Sequence, residues 1–162
     1  MVSAFLVTGS LFPLLRLLLQ TAAAAIATVA FSLLFGAPAK YFPYCGLIGG
    51  AGWLFYLLLT PSTSATTATF IATVIVILMS RWFAVRKRCP VTIFLISGII
   101  PLVPGAGIYW ASYYAVTNQL AMASETGFNA LKIAVAIVLG IVFVFELPQK
   151  IFRVGLKLPD TK

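Results

Sequence analysis

The sequence predicts an all-α, polytopic membrane helix bundle, and three observations carry that reading. Of 162 residues, 62% are apolar and 9% are charged, whereas a soluble domain carries roughly a quarter of its residues as charge. The apolar residues gather in five runs near the length of about twenty residues that a helix needs to cross the hydrocarbon core. Those runs are continuously apolar, which is not the alternation of a membrane β-strand.

The first run, Leu11 to Phe35, is interrupted only by Arg16 and Gln20 near its beginning. Ala22 to Ala25 has the small residues of a cleavage site, but residues 2–15 carry no Lys or Arg and no polar mature region follows. A span is therefore expected here, and not a cleaved signal peptide. The second run, Tyr44 to Thr60, is short and Gly-rich. Gly46 and Gly50 stand four apart, the spacing that lets helix backbones approach, so helix packing is expected of them.

The third run extends from about Thr67 to Ala84, with Arg81 near enough to its end to snorkel toward the interface. Hydroxyl residues crowd its start, and such groups often hydrogen-bond the carbonyl four residues back. Thr69 and Thr73, four apart on one face, are also candidates for lining a polar path. The fourth run, Val91 to about Val116, is broken by Pro101, Pro104, Gly105 and Gly107. The fifth, Ala130 to Leu147, holds Lys132 and Glu146 near its two ends.

The connectors are Gly36 to Pro43, Pro61 to Ser64 and, as the longest polar stretch, Thr117 to Gly127. None is long enough for a soluble domain. The chain divides into a five-span transmembrane domain, residues 1–147, and a basic tail, residues 148–162. In the tail Lys150, Arg153 and Lys157 share a helical face, with Ile151, Phe152, Val154 and Leu158 as apolar contacts. That pattern reads as an interfacial segment attracted to anionic lipid.

Eleven Lys/Arg stand against three Asp/Glu and no His. The basic residues sit at the ends of apolar runs and not along a face interleaved with aromatics, which argues for topology and against a nucleic-acid partner. With five spans, one side receives Lys40, Arg81, Arg86, Lys87, Arg88, Lys150, Arg153, Lys157 and Lys162, leaving Arg16 and Lys132 on the other. The expected orientation has the C-terminus cytoplasmic and the N-terminus outside. A re-entrant fourth run would scatter that bias, so a spanning but broken helix is expected. Cys45 and Cys89 form no paired motif and read as free thiols. Glu125, Glu146 and Asp160 are the only carboxylates, too few for an acid/base set or a metal cluster, so an enzyme, a bound metal or another cofactor is not expected.

The stretch Gly98 to Tyr109 is the most informative. Pro101 and Pro104 lack an N–H and clash with the preceding turn, while Gly105 and Gly107 tolerate unusual backbone angles. Non-helical backbone at membrane depth persists only when buried in protein or lining a wet cavity. A packing kink is the plainer reading. The sharper one is a substrate site, in which freed N–H groups near Gly105 and Gly107 meet a carboxylate at a half-helix N-terminus. Glu146, at the end of the fifth run, is the candidate for ion coupling.

The run Cys89-Pro90-Val91-Thr92 followed by Ile100-Pro101-Leu102-Val103-Pro104-Gly105-Ala106-Gly107-Ile108-Tyr109 resembles the threonine/serine exporter family. Leu33 to Pro38 and Cys45 to Gly50 fit it as well, so the resemblance covers nearly the whole chain and is closest to the short subunit, equivalent to the C-terminal half of one-chain exporters. It implies a bacterial inner-membrane exporter of small hydrophilic metabolites, threonine and serine in some members and succinate-like dicarboxylates in others. It also implies five spans and a larger, separately encoded multi-span partner. Pro101, Pro104, Gly105, Gly107, Tyr109, Thr69 and Thr73 are then the candidate substrate-binding residues. The competing expectation is a non-transporting membrane scaffold or assembly protein.

Overall fold

The computed structural model describes residues 2–148, with side chains from Leu14 onward. Six helices follow one another: α1 Val2–Leu34, α2 Phe42–Leu59, α3 Ala65–Lys87, α4 Thr92–Ile99, α5 Gly105–Val116 and α6 Leu120–Phe145. Short 3-10 turns at Ala39–Tyr41 and Ile100–Leu102 precede α2 and continue α4. The described residues contain no strand. The basic tail expected after residue 148 lies outside them.

Helix ends follow local chemistry. After α1, Gly36 takes φ +68°, the left-handed conformation in which glycine meets no Cβ penalty, and Ala37 N–H reaches back to the Ser32 carbonyl. Ser64 starts α3 by accepting the Thr67 N–H on its Oγ at 3.2 Å. At the other end of α3, Arg88 is left-handed and Cys89 N–H closes onto Ala84 O, with Pro90 following.

The stretch Thr117 to Gly127, expected as a connector, is mostly helix. Only Thr117 to Gln119 turn, with Asn118 left-handed and Gln119 N–H bonded to Tyr114 O at 2.8 Å. The physical reason is that Leu120 to Gly127 holds good helix formers and no proline, and that α6 needs this extra length to pack on α5. Gly107 sits opposite Ala130, and Gly127 opposite Ala111. Polarity marked the exposed face of a helix here.

Small residues bring α1 and α2 together. A Cβ at Gly46 would stand 2.9 Å from a Val29 methyl, one at Gly50 3.2 Å from the Ala25 Cβ, and one at Gly49 would run into the Thr28 side chain. Gly46 and Gly50 lie in this seam, and Gly49 makes the tightest approach of the three. Beneath this seam Cys45, Ile48, Val76 and Phe94 are fully buried, and the Tyr41 ring meets Phe94 edge-on at 5.5 Å.

The order of contacts sets the topology. Lys87 Nζ lies over the Tyr44 ring at 4.3 Å, so α3 ends where α2 begins. Helix α6 runs parallel to α3, because Thr66 and Thr67 adjoin Phe128 and Leu131, Thr73 faces Gly140, and Arg81 reaches the Val144 carbonyl. The pair α4 and α5 thus starts at the end where α3 stops and finishes at the end where α3 began. It changes direction by 50° at its break, far from the near-reversal of a hairpin. Among the described residues four helices are long and apolar enough to cross a membrane, and the bent pair, taken as one span, brings the count to five.

Arg81 does not snorkel outward as expected. It is 8% exposed, its guanidinium donates to the Val144 carbonyl, and it lies 5.6 Å from the Phe145 ring. The last carbonyls of a helix lack intrahelical donors and carry the negative end of the dipole, which draws the cation onto α6.

Candidate functional site

The break between α4 and α5 forms one wall of a cavity of about 340 Å³. Residues 101–107 supply that wall, Trp53 and Tyr56 come from α2, Thr69 from α3, and Glu125, Thr126 and Asn129 from α6.

The wall is shaped by what the prolines remove. Val103 is extended (φ −62°, ψ 131°) after closing the 3-10 turn onto Ile100 O at 3.2 Å. The Gly105 N–H turns onto the Val103 carbonyl at 2.8 Å, and intrahelical bonding resumes with Ile108 N–H to Pro104 O at 3.0 Å. The expected cradle is therefore narrower than the sequence suggested, because Gly105 spends its N–H locally. Ala106 and Gly107 keep theirs: among the described residues neither has a backbone acceptor outside the helix, and Pro104 offers no side-chain cap. These N–H groups carry the partial positive charge of the α5 N-terminus.

The two glycines differ. A Cβ at Gly105 meets nothing within 4 Å, whereas one at Gly107 would press on the Ala130 Cβ at 3.1 Å. Gly105 faces open space, and Gly107 both lines the cavity and lets α5 close on α6.

Of the residues singled out in the sequence, Pro101, Pro104, Gly105, Gly107 and Thr69 converge on this cavity. Thr69 is buried, and its Oγ1 donates to Ala65 O at 2.8 Å, leaving acceptor lone pairs. Thr73 lies one turn further along α3, fully buried, with no partner for its Oγ1 among the described residues. It borders Gly140 and not the cavity. Tyr109 stands outside, 62% exposed, edge-on to Trp110 at 5.3 Å. Glu146 caps the far end of α6, exposed and away from the break.

Glu125 and Asn129 are the polar residues that sequence reasoning missed. They lie four apart, one turn of α6, and their shared face becomes visible once residues 120–131 are read as helix. Taking this stretch as a loop hid the spacing. Opposite them the Trp53 and Tyr56 rings, 5.1 Å apart, form an apolar wall. One cavity is thus lined by an acidic residue, by the first turn of α5, whose Ala106 and Gly107 N–H groups have no backbone acceptor outside the helix among the described residues, and by an aromatic surface.

Across residues 20–146 the sequence matches the family described as Threonine/Serine exporter, ThrE. No solved structure matches the chain.

Proposed function

The chain belongs to the threonine/serine exporter family, and from that premise we propose that it is a membrane subunit of a secondary exporter of threonine- and serine-type amino acids, with the cavity at the α4–α5 break as its substrate site. The observation that supports this most directly is the pairing of opposite polarities in one small space. An α-amino acid carries an ammonium and a carboxylate on the same carbon. Glu125 suits the first, and the Ala106 and Gly107 N–H groups suit the second. Asn129 and Thr69 offer partners for a side-chain hydroxyl. The volume sits near the lower end of the roughly 300–1,000 Å³ of small-molecule pockets, as a small metabolite requires. A dicarboxylate would set a second negative charge near Glu125, so amino acids are the favoured class.

The cavity is lined by the end of α2 and the starts of α3 and α6, toward the end of the bundle opposite the basic loops, and we take its mouth to lie there. With those loops cytoplasmic, in a bacterial inner membrane, this is the release state of an alternating-access cycle. Thr73, with its unpartnered hydroxyl, is the next polar group on the way to the cytoplasmic end. No phosphate-cradling loop for ATP occurs in the sequence, so an ion gradient drives export. Glu125, which lines the proposed substrate cavity, joins Glu146 as a candidate for ion coupling. Glu125 and Asn129 are exposed and α5 buries none of its residues, which leaves room for a larger multi-span partner to complete the pathway.

The test is threonine efflux from cells lacking the chromosomal copy, loaded with a threonine-containing dipeptide and complemented with variants. Glu125→Gln should reach the membrane at the parent level and export at least tenfold more slowly, while Glu146→Gln should export nearly normally. Parent-rate export by Glu125→Gln removes the site from this cavity. Normal accumulation of threonine with or without the chain would favour the scaffold reading.

A further inference from the structure

A second concavity, about 470 Å³, lies on the outer surface between α3 and α6. Its polar members gather at one end. Thr66 and Thr67 belong to the first turn of α3, and Lys132 Nζ is turned toward that end, 4.7 Å from the Phe128 ring and 3.4 Å from the Asn129 Oδ1. Beyond them the groove is apolar, floored by Phe70, Leu131, Val135 and Leu139. From Phe128 to Leu139 the α6 stripe advances eleven residues, about 16 Å of helix rise. That is close to half of the ~30 Å hydrocarbon core, the depth of a single leaflet.

Length, polarity and charge placement agree on one occupant. We propose that this groove binds one acyl chain of an anionic membrane phospholipid, with the headgroup phosphate at Lys132, Thr66 and Thr67. A chain laid along the groove starts at interface level, where α3 begins, and runs inward against continuous apolar side chains. The lysine supplies the selectivity for negative charge, and the hydroxyls supply donors to phosphate oxygens. The groove and the substrate cavity share no lining residue and meet at the Lys132–Asn129 pair, so the test reads lipid and not export.

The experiment reads the groove itself. A bimane label is placed at Val138→Cys, beside the groove but not lining it, in the full chain carrying Cys45→Ala and Cys89→Ser. The protein is reconstituted into phosphatidylcholine bilayers containing graded fractions of brominated phosphatidylglycerol or brominated phosphatidylcholine. The expected result is quenching by the anionic lipid at about fivefold lower fraction, the discrimination that one lysine near an anionic surface supplies. Lys132→Gln should erase the difference, and Lys132→Arg should keep it. Val135→Phe should fill the groove and reduce quenching by both lipids. Equal quenching by the two lipids in the parent, or an anionic preference that survives Lys132→Gln, overturns the proposal. So does an absence of quenching by either lipid together with a particle of dimer mass, which assigns the groove to a second copy of the chain.

Discussion

Two glycines show how one residue type divides between packing and access. Gly49 lies so close to Thr28 that any side chain collides with it, and Gly105 looks onto open space. Gly49→Val should force α1 and α2 apart, at the cost of about 1–3 kcal/mol usual for overpacking, and lower the amount of protein in the membrane. Gly105→Val displaces no neighbour, so the protein should accumulate normally, yet its isopropyl group would intrude into the cavity and reduce threonine export at least tenfold. Immunoblots of membrane fractions alongside efflux rates separate the two outcomes. Normal export by Gly105→Val would place the substrate elsewhere. The spacing of Gly46 and Gly50 announced a tight seam in the sequence, but it did not single out Gly49. Which glycine faces a neighbour depends on the rotation of α1, and the nearly uniform apolarity of Ala22 to Ala30 leaves that rotation unmarked.

At the scale of elements, the break was legible because proline acts through its own backbone: Pro101 and Pro104 remove N–H groups wherever the rest of the chain lies. The boundaries of α6 were not, because Ser124, Glu125 and Thr126 read as a polar loop when they belong to a helix that packs on α5. Five crossings followed from the five apolar runs, with charge placement supporting the count, and they agree with the parallel run of α3 and α6. The fate of Arg81 needed the structure, since only the fold brings the end of α6 within its reach. If the break serves the site, restoring helix there should be costly to function and mild to stability. Pro101→Ala with Pro104→Ala gives back two N–H groups and favours a continuous α4–α5 helix, whose Ala106 and Gly107 N–H groups would be spent on carbonyls one turn earlier. Membrane levels should stay near those of the parent while threonine efflux falls to background. Efflux at the parent rate would reduce the break to a packing kink.

For the whole molecule, the location of the cavity gives the direction of the membrane a functional meaning. The cavity lies at the end where α6 begins, whereas Lys40, Arg86, Lys87 and Arg88 belong to the end where α3 stops and α4 starts. Since cytoplasmic loops carry the excess of Lys and Arg, the cavity mouth should face outward and Glu125 should be reachable from outside. In a chain carrying Cys45→Ala and Cys89→Ser, an impermeant maleimide added to intact cells should modify Ser124→Cys and leave Lys162→Cys untouched until the membrane is opened. Ser124 is exposed and directly precedes Glu125, so saturating external threonine should also slow its labelling if the substrate occupies the cavity. The reverse pattern, with Lys162→Cys labelled from outside, would invert the bundle. The same cavity would then be the entry state open to the cytoplasm, and the polar groups now assigned to release would instead capture substrate for export.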